Sequence, residues 1–101
     1  MHNYKIRYRQ KAKSRILADS LYYNMQQLEL GKKYLDEINE KITLLTKHPR
    51  IAPKIDENYR KITLHKFSHS IVYAINEQKN EIVVLAIQHQ KQHPDTWKNR
   101  K

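Results

Sequence analysis

The spacing of apolar residues changes from a strand period to a helix period within the first thirty positions. In "YKIRYR" the residues Tyr4, Ile6 and Tyr8 share one parity and basic residues take the other, as in a half-buried strand. From Lys11 onward, apolar residues recur at the spacing of one helical stripe: Ala12, Ile16, Leu17, Leu21, Met25 and Leu28. The pattern predicts a first strand followed by an amphipathic helix.

A second helical stripe follows Gly31, which interrupts the first. Pro49 ends it, because proline restricts the residue before it and cannot continue the helical hydrogen bonds. We expect Glu37 and Lys41, four residues apart, to form a surface pair. Neither helix could bury its stripe alone, so the two predict an antiparallel hairpin that lies on a sheet. The apolar positions of this stripe are Tyr34, Leu35, Ile38, Ile42 and Leu45, and the carboxylates Asp36, Glu37 and Glu40 are assigned to the solvated face.

The second half of the chain supplies the predicted sheet. The segment "YRKITLHKF" is typical of a two-faced strand, with Ile62 and Leu64 on one face and Lys61, Thr63 and His65 on the other. The runs "SIVYAI" and "IVVLAI" are continuously apolar and rich in β-branched residues, which indicates central strands, and the turn "NEQKN" joins them in a hairpin. The predicted fold class is α+β, in the order β-α-α-β-β-β, with a helical hairpin packed on a mainly antiparallel sheet.

Length and composition favour one cytoplasmic domain. A chain of 101 residues buries a single core, so residues 1–101 are predicted to form one domain with a basic, mobile tail from about Lys98. The chain has no cysteine, which suits a reducing compartment. Its start lacks the apolar core of a signal peptide, and no apolar stretch approaches the ~20 residues of a membrane span. We therefore expect a cytoplasmic protein with no membrane partner.

The formal net charge of +10 creates a positive surface potential on so small a protein. The partner is therefore expected to be acidic. Nucleic acid and an acidic protein segment both meet that requirement, and a surface that serves only solubility is the third possibility.

The ordered set of these segments resembles the RelE/ParE superfamily of bacterial type II toxins. The resemblance runs from about residue 4 to 97, through "YKIRY", "LLTKHP", "YRKITLHKF", "IVYAI" and "IVVLAIQHQKQHPDTW". It implies a small toxin that a cognate acidic antitoxin from the same operon holds inactive. ParE-like members poison DNA gyrase, whereas RelE-like members are ribosome-dependent endoribonucleases that cut mRNA. A binding module without toxicity is the third reading.

Cleavage of RNA by its own 2′-hydroxyl requires a base, cations for the phosphate and a proton donor. His89 has the parity of Val83, Leu85 and Ile87, so extrapolation of the last strand places it on their face. His89 is then a general base or phosphate contact, or alternatively a histidine that caps the strand end. The full set of candidates is His89 and Lys91 as catalytic residues, only if the protein is a nuclease, with Arg60, His65, Lys66 and Tyr73 as further contacts.

Departures from the nuclease pattern favour the ParE-like branch. Ser70 stands where mRNA-cleaving relatives carry an arginine that holds the scissile phosphate, and the ending "HQKQHPDTW" resembles the ParE type. In this ending Trp97 either anchors the tail on the sheet or stacks on a target, and His93 and Lys98 are further candidate contacts for the target or nucleic acid.

Two alternatives concern charge and metal. Arg60 is either a target contact or the partner of a carboxylate such as Asp56 or Glu57. Two histidine pairs have a spacing of four residues, but no carboxylate cluster accompanies them. We therefore expect neither a metal site nor a cofactor; the pairs are His65 with His69 and His89 with His93.

Overall fold

The computed structural model describes residues 3–90, and these residues form the predicted α+β arrangement of a helical hairpin on a sheet. The expected order β-α-α-β-β-β is confirmed within that range. The elements are β1 (Lys5–Tyr8), α1 (Gln10–Gln26), α2 (Leu30–Lys47), β2 (Arg60–Thr63), β3 (His69–Asn76) and β4 (Glu81–His89).

The four strands form one sheet in the order β1-β4-β3-β2. The pairs β2–β3 and β3–β4 are antiparallel, and β1 pairs in parallel with β4, with Lys5 opposite Glu81. The two helices between β1 and β2 cover one face of this sheet, here called the inner face; the opposite face is the outer face. A smaller cluster of buried side chains, Val72, Val83 and Leu85, lies on the outer face. The main core lies between the helices and the inner face, and its buried side chains include Ala12, Ile16, Tyr34, Ile38, Ile42, Leu64, Ile71, Val84 and Ile87.

The two helices approach closely at Gly31, which lies in the first turn of α2 and not in the break between the helices. A Cβ atom on Gly31 would lie 2.2 Å from the carbonyl oxygen of Ser20 and 2.8 Å from the side chain of Asn24. The amide of Gly31 donates to Asn24 Oδ1 at 2.8 Å. The break is formed instead by residues 27–29, where Glu29 has a φ of 68°. Glycine is therefore required at position 31 because the two helices pack closely there.

The predicted apolar stripe of α1 is buried only in its first part. Ala12 and Ile16 face the core, and Ser20 continues their line toward α2. The side chains of Leu17, Leu21 and Met25 are exposed, and Leu28, also exposed, lies beyond the end of the helix. The prediction that one stripe buries all of these residues was wrong, because the buried line of α1 runs through Ala12, Ile16 and Ser20, whereas Leu17, Leu21 and Met25 lie on a second, outward line.

The predicted surface pair Glu37–Lys41 was also wrong, since both residues are buried. The carboxylate of Glu37 accepts hydrogen bonds from the backbone N–H groups of His65 and Lys66. This side of α2 therefore faces the segment between β2 and β3. Asp36 and Glu40 are exposed as predicted.

The strand predicted from "YRKITLHKF" is shorter than expected. It ends at Thr63, and the connection from Leu64 to Ser68 follows. Leu64 is buried and its amide donates to the carbonyl of His69 at 2.9 Å. His65 and Lys66 therefore lie in an exposed connection and not on the strand.

Candidate functional site

The region where β4 ends and β3 begins carries the residues on which the choice of mechanism depends. Across the outer face at this end, Thr63 pairs with Ser70, and Ser70 pairs with Gln88. The hydroxyls of Thr63 and Ser70 are 3.1 Å apart. This row therefore consists of two hydroxyls and an amide, and the side chains of Ser70 and Gln88 are buried.

His89 lies on the inner face because a β-bulge changes the parity of β4. Val72 pairs with Ala86, whereas Tyr73 pairs with Val84, so Leu85 is an extra residue without a partner in the register. Beyond such a bulge, side chains continue on the opposite face. The prediction that His89 shares a face with Val83 and Leu85 was therefore wrong.

On the inner face, His89 contacts His69, which lies opposite it in the sheet. The two imidazole ring centroids are 5.0 Å apart, at an interplanar angle of 82°. His69 is buried, whereas His89 is half-buried. The histidine at the strand end thus packs toward the helices rather than onto the outer face.

Behind these histidines, Asp19 on α1 forms the centre of a polar group. Its carboxylate accepts hydrogen bonds from Arg15 Nε at 2.9 Å and from the Tyr34 hydroxyl at 2.8 Å. Nε2 of His69 lies 3.6 Å from Oδ2 of Asp19, the oxygen that accepts the Tyr34 hydrogen bond. Burial, followed by the hydrogen bond and charge of Asp19, raises the pKa of the Tyr34 hydroxyl.

Tyr73 is fully buried on the inner face. Its hydroxyl donates to the carbonyl of Pro49 at 2.7 Å, which attaches β3 to the loop after α2. Burial raises the pKa of this hydroxyl. As a candidate for target contact, Tyr73 would first have to be uncovered.

Arg60 on β2 is hydrogen-bonded to the loop that follows α2. Its Nη1 donates to the carbonyls of Arg50 at 3.1 Å and Ala52 at 2.7 Å. Asp56, proposed as a partner for Arg60, accepts the backbone N–H groups of Asn58 and Tyr59. Arg60 also lines a polar cavity of about 200 Å³ together with Arg50, Lys54, Glu57, Asn58, Tyr59, Ile75 and Glu77.

The remaining predicted site residues are distributed between an exposed connection and the part of the chain outside the described range. The side chains of His65 and Lys66 are exposed, and Glu37 holds their backbone. The candidates that fall outside residues 3–90 are Lys91, His93, Trp97 and Lys98.

An exposed apolar surface on α1 is the feature that sequence reasoning missed. We call it the α1 apolar surface; it consists of Leu17, Leu21, Tyr22 and Met25, whose exposed fractions range from 58% to 85%. Beside it, a cavity of about 450 Å³ opens between α1, α2 and the end of β1. The apolar arc of α1 is wider than one buried stripe, and this width was the available signal. The cavity is lined by Tyr8, Gln10, Lys13, Ser14, Ile16, Leu17, Leu35, Ile38 and Asn39.

Within residues 3–90, no three histidine or carboxylate side chains group as a metal site. Neither described helix has the length and apolar character needed to cross a membrane.

Comparison with known proteins gives the fold and a family. The family model described as "ParE toxin of type II toxin-antitoxin system, parDE" matches residues 6–94. The chromosomal ParDE system of P. aeruginosa has a similar structure, with a TM-score of 0.73 and 22% identity over 88% of this chain and 98% of that chain. The isolated RelE toxin of E. coli is also similar, with a TM-score of 0.68 and 16% identity over 90% of this chain and 88% of that chain.

An archaeal RelE–RelB complex from Pyrococcus horikoshii OT3 is also similar, with a TM-score of 0.61 and 11% identity over 90% of this chain and 99% of that chain. No curated protein sequence is significantly similar. At these identities the structural likeness establishes the RelE/ParE-like fold alone.

Proposed function

This chain is a member of the ParE toxin family of type II toxin-antitoxin systems, and on that premise we propose that it inhibits growth by poisoning DNA gyrase. A cognate acidic antitoxin neutralises it, and both act in the cytoplasm. The alternative within the same superfamily is a RelE-like endoribonuclease that acts on mRNA in the ribosome.

The arrangement at the end of β4 is the observation that carries the choice of gyrase. RNA cleavage requires an accessible general base beside cations that hold the scissile phosphate. His89 packs against His69 on the inner face, and the outer face at this end carries Ser70 and Gln88. Within the described residues, the acid–base set that the nuclease reading assigned to this end is therefore not assembled on one accessible face.

The α1 apolar surface supports the antitoxin part of the proposal. Exposed apolar side chains on one line of a helix fit the apolar face of an amphipathic segment. The net charge of +10 favours an acidic segment and accelerates its association. RelBE of E. coli is solved as a toxin–antitoxin complex with this fold, and RelE of P. horikoshii is solved in complex with RelB. We infer that an acidic segment folds onto α1 as it binds.

Gyrase and mRNA assays on the same antitoxin-free protein decide between the mechanisms. The toxin is incubated with gyrase, ATP and supercoiled plasmid, and in parallel with translating ribosomes and mRNA. We expect linear DNA to accumulate after detergent and protease, while the mRNA stays intact. Cut mRNA with intact plasmid would reverse the assignment, and the absence of both products would indicate a non-toxic binding module. Toxin premixed with the acidic protein of its operon is the control that must suppress cleavage.

Substitution on α1 tests the antitoxin surface separately. Leu21→Ser removes an exposed apolar side chain at little expected cost in stability. We expect it to weaken binding of the operon's acidic protein by about tenfold or more, as for a central apolar anchor. Lys33→Ser, at an exposed position on α2, is the matched control. Equal affinities of the two variants would contradict docking at this surface. An affinity that did not fall with rising salt would contradict its electrostatic part.

A further inference from the structure

A partly buried polar group joins both helices to the sheet at the end where β3 begins. Asp19 is central to it, because its two oxygens accept hydrogen bonds from Arg15 on its own helix and Tyr34 on α2. The imidazole of His69 on β3 approaches the same carboxylate at 3.6 Å, beyond the length of a good hydrogen bond. Asp19 is thus hydrogen-bonded to a partner on each of the two helices, and its contact with the strand is longer and weaker.

The surroundings of His69 accept a neutral ring better than a charged one. Only 4% of the residue is exposed, and its ring lies among the rings of Tyr23, Tyr34 and His89 at centroid distances of 5.9, 5.5 and 5.0 Å. Its Nδ1 is buried and has no hydrogen-bond partner among the described residues. Protonation would place a second N–H there without an acceptor, which carries a desolvation penalty.

Charged and titratable side chains face His69 from α1, α2 and β4, the elements that pack against it. Arg15, Asp19 and Tyr23 face it from α1, Tyr34 from α2, and His89 from β4. Burial is the largest influence and lowers the pKa of His69; His89 and Arg15 lower it further, while the carboxylate of Asp19 opposes them.

We propose that Asp19 and His69 form an acid-sensitive latch between the helical hairpin and the sheet. Above neutral pH the neutral imidazole packs among the tyrosines, and Asp19 stays with Arg15 and Tyr34. In mild acid, His69 takes a proton that its buried site accommodates poorly. The helices then loosen from the start of β3 and the end of β4.

The direction in which stability changes with pH follows from the linkage between protonation and folding. The pKa of His69 is lower in the folded chain than in the unfolded chain, where it has its ordinary value. The neutral ring's contribution to stability is therefore complete above the unfolded value. It is lost as the pH falls from that value through the lower folded pKa. Since α1 also carries the α1 apolar surface, acid would weaken antitoxin binding; that consequence rests on the proposed function, whereas the latch does not.

Urea unfolding of the antitoxin-free protein between about pH 7 and about pH 5 tests the latch. We expect the wild-type midpoint to fall toward acid and that of His69→Phe, which keeps a ring but cannot titrate, to fall less. His65→Phe, at an exposed position, is the matched control and should keep the wild-type slope. A His69→Phe slope equal to that of the wild type would overturn the proposal.

Histidine ring NMR titration of the wild type gives a test that needs no folded His69→Phe variant. We expect His69 to titrate below the ordinary histidine value of about 6.5. We also expect Asp19→Asn to move that titration to lower pH, because the opposing carboxylate charge is gone. A titration of His69 at or above the ordinary value, or one that Asp19→Asn leaves unchanged, would overturn the latch. Neither readout depends on gyrase or on an antitoxin.

Discussion

Glu37 on α2 accepts the backbone N–H of Lys66 at 3.0 Å, and its other carboxylate oxygen accepts the N–H of His65. A single buried side chain thereby satisfies two successive amides of the connection between β2 and β3. Buried carboxylates are tolerated when they are hydrogen-bonded in this way. The connection is thus held to the helix layer while its own side chains remain exposed.

Replacing Glu37 by glutamine should destabilise the fold. The amide group can accept at one atom only, so one of the two backbone N–H groups loses its partner. We expect a loss of about 1–3 kcal/mol in the free energy of unfolding, measured in urea. Glu40→Gln, at an exposed position of the same helix, should change it little. Equal stabilities of the two variants would show that the bonds to residues 65 and 66 do not contribute.

Gly31→Ala should destabilise the helical hairpin, although alanine is the better helix former by about 1 kcal/mol. The added methyl group would meet the backbone carbonyl of Ser20, which cannot rotate away as a side chain can. Overpacking of this kind typically costs about 1–3 kcal/mol. Thermal unfolding followed by circular dichroism measures it. Lys33→Ala, exposed on the same helix, is the control, and a Gly31→Ala protein as stable as this control would refute the close approach.

Tyr73→Phe separates a structural from a functional role for this residue. The substitution leaves the Pro49 carbonyl without its donor, so we expect a loss of about 1–3 kcal/mol in unfolding free energy. Tyr22→Phe, at an exposed position, should have almost no effect. Activity measured below the unfolding transition should survive Tyr73→Phe. Loss of activity with unchanged stability would instead return Tyr73 to the candidate site.

Alkaline pH should destabilise the protein through its buried tyrosines. Burial and Asp19 raise the pKa of the Tyr34 hydroxyl above its value in the unfolded chain. Its contribution to stability is therefore complete below the unfolded value of about 10 and is lost as the pH rises beyond it. Unfolding free energies of wild type and Tyr34→Phe between about pH 9 and about pH 11 measure this. We expect a shallower decline in Tyr34→Phe, and parallel declines would contradict the assignment.

The strands and their order could be predicted because their signals are local. The alternation around Ile6 and the β-branched runs of β3 and β4 each indicate a strand from a few neighbouring residues. The boundary at Pro49 was also predictable, since α2 ends at Lys47. These features follow from backbone chemistry and require no knowledge of what packs against the element.

The errors arose where a residue's role depends on a distant partner. The parity of His89 was wrong because the bulge at Leu85 depends on how β4 pairs with β3. Glu37 was assigned to solvent because its partners are amides nearly thirty positions later. On α1, Leu21 was assigned to the core although Ser20 faces it, because hydrophobicity alone cannot distinguish a buried apolar side chain from an exposed one.

The parallel pairing of β1 with β4 affects how the chain reaches its native state. Within residues 3–90, the first strand along the chain is a sheet neighbour of the last. Contacts so distant along the chain close slowly, because loop-closure entropy is lost before they form. The backbone groups of β1 therefore have no strand partner until residues 81–84 have been synthesised. The sheet of this domain therefore cannot be completed until β4 has been synthesised, which delays the moment at which a newly made copy reaches its folded form.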